Sequence, residues 1–320
     1  MPKFFIKHIT KYSYSNLVID GANQIMLHPI QDEHQSVVSH FLSINTNPKI
    51  ETRHDFFGNT VGTFMIIEPH NFLSIVSDIE VITSTRPFPD DLKPDAEQWK
   101  ALQLLKNDPT FIDFLKYKTF DGTKEISELI ATKDLEVESP YKMVLALCSY
   151  IYTNFNYIQG STNVDSILDH VWKLKAGVCQ DFTNILIQMV RMMGIPARYV
   201  SGYICPNEDG SRGEGATHAW IEAYIPGYGW LGLDPTNNLI ANHYHVRLAV
   251  GRDYKDCAPV KGVFKGSAKD ELFVKVKVST LKNSNDDLTL QLNTEEKVVN
   301  NNSYRQNLEL VQQQQQQQQQ

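Results

Sequence analysis

The sequence predicts an α+β protein in three parts. These are an N-terminal antiparallel β domain, a helical connection, and a core in which one cysteine-bearing helix packs on an antiparallel sheet carrying a histidine and an aspartate. Three observations predict it. Runs of period two dominate residues 3–85, the mark of strands with one buried face. A helical apolar stripe follows Cys179. Beyond it, two alternating runs, one opened by His218 and one closed by Asp234, flank the turn Pro226-Gly227-Tyr228-Gly229.

Along the chain, residues 1–90 form the β domain, with strands expected at 4–9, 37–44, 61–67 and 72–82 and an antiparallel sandwich as the architecture. The segment TRPFPDDLKP closes it. Residues 91–140 are a helical connection with stops at Pro109 and Pro140. The core and a returning C-terminal strand, ELFVKVKVS, occupy 141–280. From 281 to 320 the composition turns to Asn, Gln, Asp and Glu and ends in a run of glutamines from Gln312, which predicts a disordered tail.

In GVCQDFTNILIQMVRMMGIPARYV, residues Phe182, Ile185, Leu186, Met189, Val190 and Met193 fall on one helical face. Gly194 and Pro196 stop the helix and a strand follows. Cys179 therefore sits in the first turn, where unpaired N–H groups and the helix dipole favour a thiolate. The alternative is a small buried hydrophobe, the commonest use of a free cysteine. A nucleophile would need a base and something to orient that base. His218 and Asp234 offer both, on neighbouring antiparallel strands. A four-residue turn pairs 225 with 230, which sets Asp234 opposite 221, about 10 Å along from His218, so a bulge or longer loop is expected to close the gap.

The motifs GVCQDF, THAW and GWLGLDPTN, in that order, resemble the core of the bacterial transglutaminase-like family. NFNYIQGSTNV and HVRLAVGRDYKDCAPVKGVFKG resemble the segments around it. IKHITKYSYS, MLHPI, DFFGNTV and IEPHNFLSI resemble the family's β-rich N-terminal domain, so the likeness spans about residues 3–280. The resemblance implies a papain-like fold with a triad: Cys179 as nucleophile, His218 as general base and acid, and Asp234 orienting His218.

Other residues join the candidate site. Asp181 is either a solvated first-turn carboxylate or a hydrogen-bond partner of a neighbouring loop; beside a thiolate it is not the base. The Cys179 backbone N–H is one oxyanion donor by its position, and Tyr157, Gln180 and Trp220 are candidates for the second, with Tyr157 preferred. Trp172 reads as helix packing. Cys148 reads as core, Cys205 as a strand end and Cys257 as a loop residue, with no C-x-x-C pair to suggest zinc or a disulfide framework. His243 and His245 are the one close histidine pair, read as a loop or strand feature rather than a metal site. No cofactor or metal is expected.

These parts imply acyl transfer on amide bonds through a thioester on Cys179, ending in hydrolysis as in a cysteine peptidase or amidase. Transfer to an amine, as by a transglutaminase, is the alternative, and a non-catalytic binding or scaffold module is a third. The expected partner is a protein or peptide substrate, or a small amide. A net charge of −7 argues against a nucleic-acid surface. The charged amino end and the lack of any long apolar run argue against a signal peptide or membrane span, so a cytoplasmic location is expected. The loop CPNEDGSRGEGA, with Glu208, Asp209 and Glu214, is expected to shape substrate choice and to hold an incoming ammonium charged.

Overall fold

The computed structural model describes residues 1–90, 95–132, 138–162, 166–205 and 217–281. The chain divides into a β unit, residues 2–82 with the chain from 258 onward, and a core unit, residues 83–257. The tail expected to be disordered lies outside the described residues from 282, as does the 206–216 loop.

The β unit opens with β1 (Lys3–Ile25), β2 (Gln35–Ile44), β3 (Glu51–His54), β4 (Thr60–Ile66) and β5 (His70–Thr83). Phe4, Ile6, His8 and Thr10 alternate inward on β1 and are buried, as period two requires. On β5 they face Val81, Ile79, Ser77 and Ile75, residue against residue. Where the sequence predicts a strand ending at residue 9, β1 continues for 23 residues. Its alternation fades over 11–17, which are largely exposed, while its pairing with β5 continues to Ser13. Backbone pairing outlasts the amphipathic signal there. A register break between Ser13 and Val18 and a positive φ at Asp20 accompany the change of neighbours, from β5 to β4.

The core unit begins with α1 (Asp95–Leu104), α2 (Ile112–Leu115), α3 (Thr123–Ala131) and α4 (Pro140–Asn154). Ser139 caps α4 by accepting from the Lys142 N–H, and Pro140 occupies the first turn, where its missing N–H costs nothing. Next come β6 (Asn156–Tyr157), α5 (Leu168–Leu174), β7 (Ala176–Gly177) and α6 (Cys179–Met192). The sheet is built from β8 (Ala197–Ile204), β9 (Thr217–Ile225), β10 (Gly229–Asp234), β11 (Leu239–Ile240) and β12 (His245–Gly251), antiparallel in the order β11-β10-β9-β8-β12. The short α7 (Tyr254–Cys257) ends the unit, so Cys257 closes a helical turn where the sequence predicts a loop.

Helix α6 packs on β8 and β9. Phe182, Ile185, Leu186, Met189 and Val190 have no exposed surface, and each contributes about 1.5–3 kcal/mol by burial. That seats Cys179 firmly. Met193, expected on the stripe, caps the helix and is half-buried.

The chain then returns to the β unit. β13 (Val260–Lys265) pairs with the second half of β1, and β14 (Asp270–Ser279) with the first half, from Phe5 opposite Ser279 to Tyr14 opposite Asp270. The long β1 is shared by two antiparallel sets, β5 and β14 on its first half and β4 and β13 on its second, with the path running β2-β5-β1-β4-β3. The overall class is mixed α+β with antiparallel sheets. Among the described residues no helix is long and apolar enough to cross a membrane.

Candidate active site

Cys179 is the first residue of α6, preceded by Val178 in extended conformation. It is half-buried, whereas Cys148, Cys205 and Cys257 are buried; all four are free. Burial pushes the thiols of Cys148 and Cys205 well up, and the nearby Asp234 charge adds to this at Cys148. Those two are inert by environment.

Two residues on, Asp181 Oδ2 accepts from the Val178 N–H at 2.8 Å and from the Thr162 hydroxyl at 2.5 Å. Burial raises its pKa, against the pull of these hydrogen bonds. The carboxylate thus ties the start of α6 to the loop before α5. Tyr157 lies beside Gly177 in the parallel pair β6–β7, and its ring meets Phe182 edge-on at 6.3 Å. Gln180 is half-buried in the first turn of α6.

His218 and Asp234 meet directly: Nε2 lies 2.9 Å from Oδ2, with both side chains fully buried. The route differs from the sequence expectation. The turn between β9 and β10 has three residues, not four, so Gly229 pairs with Ile225 and Leu233 with Ile221. Gly227 and Gly229 supply the positive φ angles that a turn this tight demands. Continued by one residue, this register sets Asp234 opposite 220 rather than 221. A one-residue slip flips a side chain to the other face. On the predicted register Asp234 would face away from His218; on the observed one they are diagonal neighbours on the same face, with no bulge.

The second ring nitrogen of His218, Nδ1, finds no hydrogen-bond partner of ordinary geometry. Burial lowers the His218 pKa, but Asp234 and then Cys179 pull it up, to about 10. The charged form of His218 is thus favoured by its partners against burial. Asp234 is held as an anion despite its burial, because His218 and His245 drive its pKa far below the carboxylate range. Its Oδ1 accepts from the backbone of Thr236 at 2.9 Å and of Asn237 at 3.3 Å, and its Oδ2 from Asn237 Nδ2 at 2.8 Å.

His245 is the residue the sequence reading missed here. Its Nε2 lies 3.3 Å from Asp234 Oδ2. It was visible only as half of a pair with His243, and the pair diverges: His243 Nδ1 contacts the Thr85 hydroxyl at 2.9 Å. His218, Asp234 and His245 bring their ligand atoms within 4.8 Å of one another, close enough to hold a metal ion. Their separations of 2.9 and 3.3 Å are equally those of two hydrogen bonds on one carboxylate oxygen.

Trp220 is fully buried beside the two histidines, 6.2 Å from the His218 ring and 5.1 Å from that of His245. Gly202 makes the convergence possible. It sits on β8 opposite His218, and a Cβ there would lie 2.7 Å from the Trp220 ring and 2.1 Å from the Val246 carbonyl. With no side chain at this position, the Trp220 ring from β9 and the Val246 carbonyl from β12 close over it. A glycine inside a strand was the available signal for this approach. Trp172 serves packing: its Nε1–H goes to Glu125 at 3.0 Å and Lys175 stands over its ring. Glu208, Asp209 and Glu214 lie outside the described residues.

The chain matches the Transglutaminase-like superfamily over residues 129–235 and the Bacterial transglutaminase-like N-terminal region over residues 4–82. It is 31% identical over 284 residues to an uncharacterized protein of Mycobacterium leprae, covering 86% of this chain and 98% of that one. An uncharacterized protein of Mycobacterium tuberculosis is 32% identical over 275 residues, covering 82% and 87%. Among solved structures, a protein of Cytophaga hutchinsonii carrying a provisional cysteine-protease name superposes with a TM-score of 0.68 at 25% identity, over 88% of this chain and 91% of its own.

Proposed function

The chain belongs to the transglutaminase-like superfamily, with the bacterial N-terminal region ahead of its core, and from that premise we propose that it is a thiol-dependent enzyme that hydrolyses amide bonds. One observation carries the reading: the fully buried His218 ring is fixed 2.9 Å from the buried Asp234 carboxylate, and Asp234 and Cys179 both favour its charged form. That is the arrangement in which a cysteine reacts as a thiolate.

The Cys179 sulfur attacks the carbonyl carbon of a carboxamide, and negative charge moves to the oxygen. The Cys179 backbone N–H, at the first position of α6, is one donor to it. As the C–N bond breaks, His218 gives its proton to the departing amine or ammonia, leaving a thioester and a neutral imidazole. Asp234 holds the ring in the tautomer and orientation both transfers need. His218 then takes a proton from water, which attacks the thioester; the acid leaves and the thiolate–imidazolium pair returns.

Water is favoured over an amine by competition. A lysine of pKa about 10.4 is neutral in only about 0.04% of molecules at pH 7, against water at roughly 55 M. The substrate class is a protein, a peptide or a small amide. To test it, a glutamine peptide is offered with excess primary amine, and the glutamate product is measured against the amine adduct. Mostly glutamate supports hydrolysis. An adduct-dominated outcome at millimolar amine would make the enzyme a transglutaminase, and failure of iodoacetamide to label Cys179 faster than Cys148 would make it a binding module.

A further inference from the structure

His245 has no part in the steps above, yet it shares an oxygen with the catalytic carboxylate. Its place in the fold is unusual. β12 is the far edge of the sheet, separated from β10 by both β9 and β8. Two adjacent strands are about 4.8 Å apart, so a side chain three strands away does not ordinarily reach. It reaches here from the start of β12, where the chain crosses back from β11 and His245 lies opposite Ile204.

The tautomer follows from its neighbours. The backbone N–H of Asn242 donates to His245 Nδ1 at 3.2 Å, and an N–H can only donate. Nδ1 therefore carries the lone pair, and Nε2 carries the proton. Asn242 Oδ1, 3.4 Å from the same nitrogen, already accepts from the Tyr244 N–H at 2.9 Å. The Nε2–H points its hydrogen bond at Asp234 Oδ2, which also accepts from His218 and from Asn237 Nδ2.

We propose that His245 is a positioning residue for the reaction: its Nε2–H, donated from β12 to Asp234 Oδ2 at 3.3 Å, fixes that oxygen against His218 and takes a share of its charge. Three donors on one oxygen leave less negative charge for each. A bare Asp234 would grip the His218 proton more tightly than proton return to a leaving group requires. The groups that set this balance are few. Burial, and after it the repulsion of His218, lower the His245 pKa against the upward pull of Asp234 and the Asn242 backbone. His218 feels burial, Asp234 and Cys179. Trp220 walls the pair off from one side.

The inference rests on the reading that Cys179, His218 and Asp234 act together, and the test separates the two. The full-length chain labelled with 15N-histidine is observed by NMR as pH is varied. At neutral pH, His245 should show a protonated Nε2 and a bare Nδ1, while His218 shows both nitrogens protonated. In His245→Phe, which keeps the ring shape but removes the donor, the midpoint at which His218 loses its proton should rise by about 0.5. His245→Gln, which can present an Nε2–H to the same oxygen, should bring it back toward the wild-type value. A His245 protonated at Nδ1 in the wild-type chain overturns the proposal without any variant. So do equal midpoints in the wild type and both variants, provided Asp234→Asn lowers the midpoint. If Asp234→Asn also leaves His218 unmoved, the coupling of the triad itself is refuted.

Discussion

In the β unit, His8 is buried and His40 half-buried among hydroxyls and rings; burial pulls both to a pKa of about 4, with the neighbouring His28 adding to the effect at His40. In the core unit, His218 is buried as deeply as His8, yet Asp234 and Cys179 reverse the effect of burial and carry it to about 10. His8 meets Thr10 Oγ1 at 3.1 Å and His40 meets Ser77 Oγ at 2.9 Å, neutral partners that tolerate a neutral ring. His218 meets a carboxylate whose remaining lone pairs are filled by Thr236 and Asn237. A buried histidine is thus a packing group by default. A fixed anion makes it a charged one.

The largest test of that contrast removes the sulfur. Cys179→Ala should lower turnover by at least about 10³-fold while stability changes by about 1 kcal/mol or less, because only a small half-buried side chain is lost. His8→Gln, on the other side of the comparison, should leave turnover unchanged. Equal activity losses in both would erase the distinction.

Next in size is Asp234→Asn. It keeps the shape but removes the anion, so His218 should lose its raised pKa and turnover should fall by about 10²-fold, less than for Cys179→Ala. The fall should be measured with a single amide substrate across pH 6 to 9. A turnover equal to the wild type would show that burial of the pair, not charge, is what counts.

How much of this was legible depends on distance along the chain. Cys179 was readable because a stripe, a helix stop and a strand follow within 25 residues, all local signals. His218 and Asp234 were readable as types on adjacent strands, but not in register: Pro226, Gly227 and Gly229 permit turns of three or four residues, and only packing chooses. The path of β1 past residue 10 was hidden because exposed residues on both faces carry no period. His245 was hidden for a third reason. It reaches Asp234 across two intervening strands, and a contact of that kind has no sequence pattern.

Gly202→Ala makes the next, smaller break. The added methyl would stand 2.1 Å from the Val246 carbonyl and 2.7 Å from Trp220, and neither is a flexible side-chain end. Overpacking of this kind costs about 1–3 kcal/mol. Thermal unfolding followed by tryptophan fluorescence should report it, since Trp99, Trp172, Trp220 and Trp230 all belong to the core unit. An unchanged midpoint would mean that the strands over Gly202 can separate freely.

The smallest effect sharpens the comparison through pH, because the two histidine sets respond in opposite directions. An unfolded histidine titrates near about 6.5. For His8 and His40, folded values of about 4 lie below this, so between the two values the unfolded chain binds protons that the folded one refuses. Their contribution is fully present above about 6.5 and is lost as pH falls toward about 4. For His218 the folded value of about 10 lies above, so its contribution is full below about 6.5 and is lost as pH rises through about 10. Acid should therefore act through His8 and His40 in the β unit, and alkali through His218 in the core unit, where His245 responds to acid as His8 does. Fluorescence cannot follow the β unit, which has no tryptophan, but amide exchange in β1 can. Each histidine excluded from protonation contributes at most about 1.4 kcal/mol per pH unit to the slope. His8→Gln keeps a partner for Thr10 but does not titrate, so β1 protection should fall less steeply between pH 6.5 and 4.5 in the variant than in the wild type. Identical slopes would mean that His8 accepts its proton inside the fold, and that burial without a carboxylate does not suffice to keep a histidine neutral.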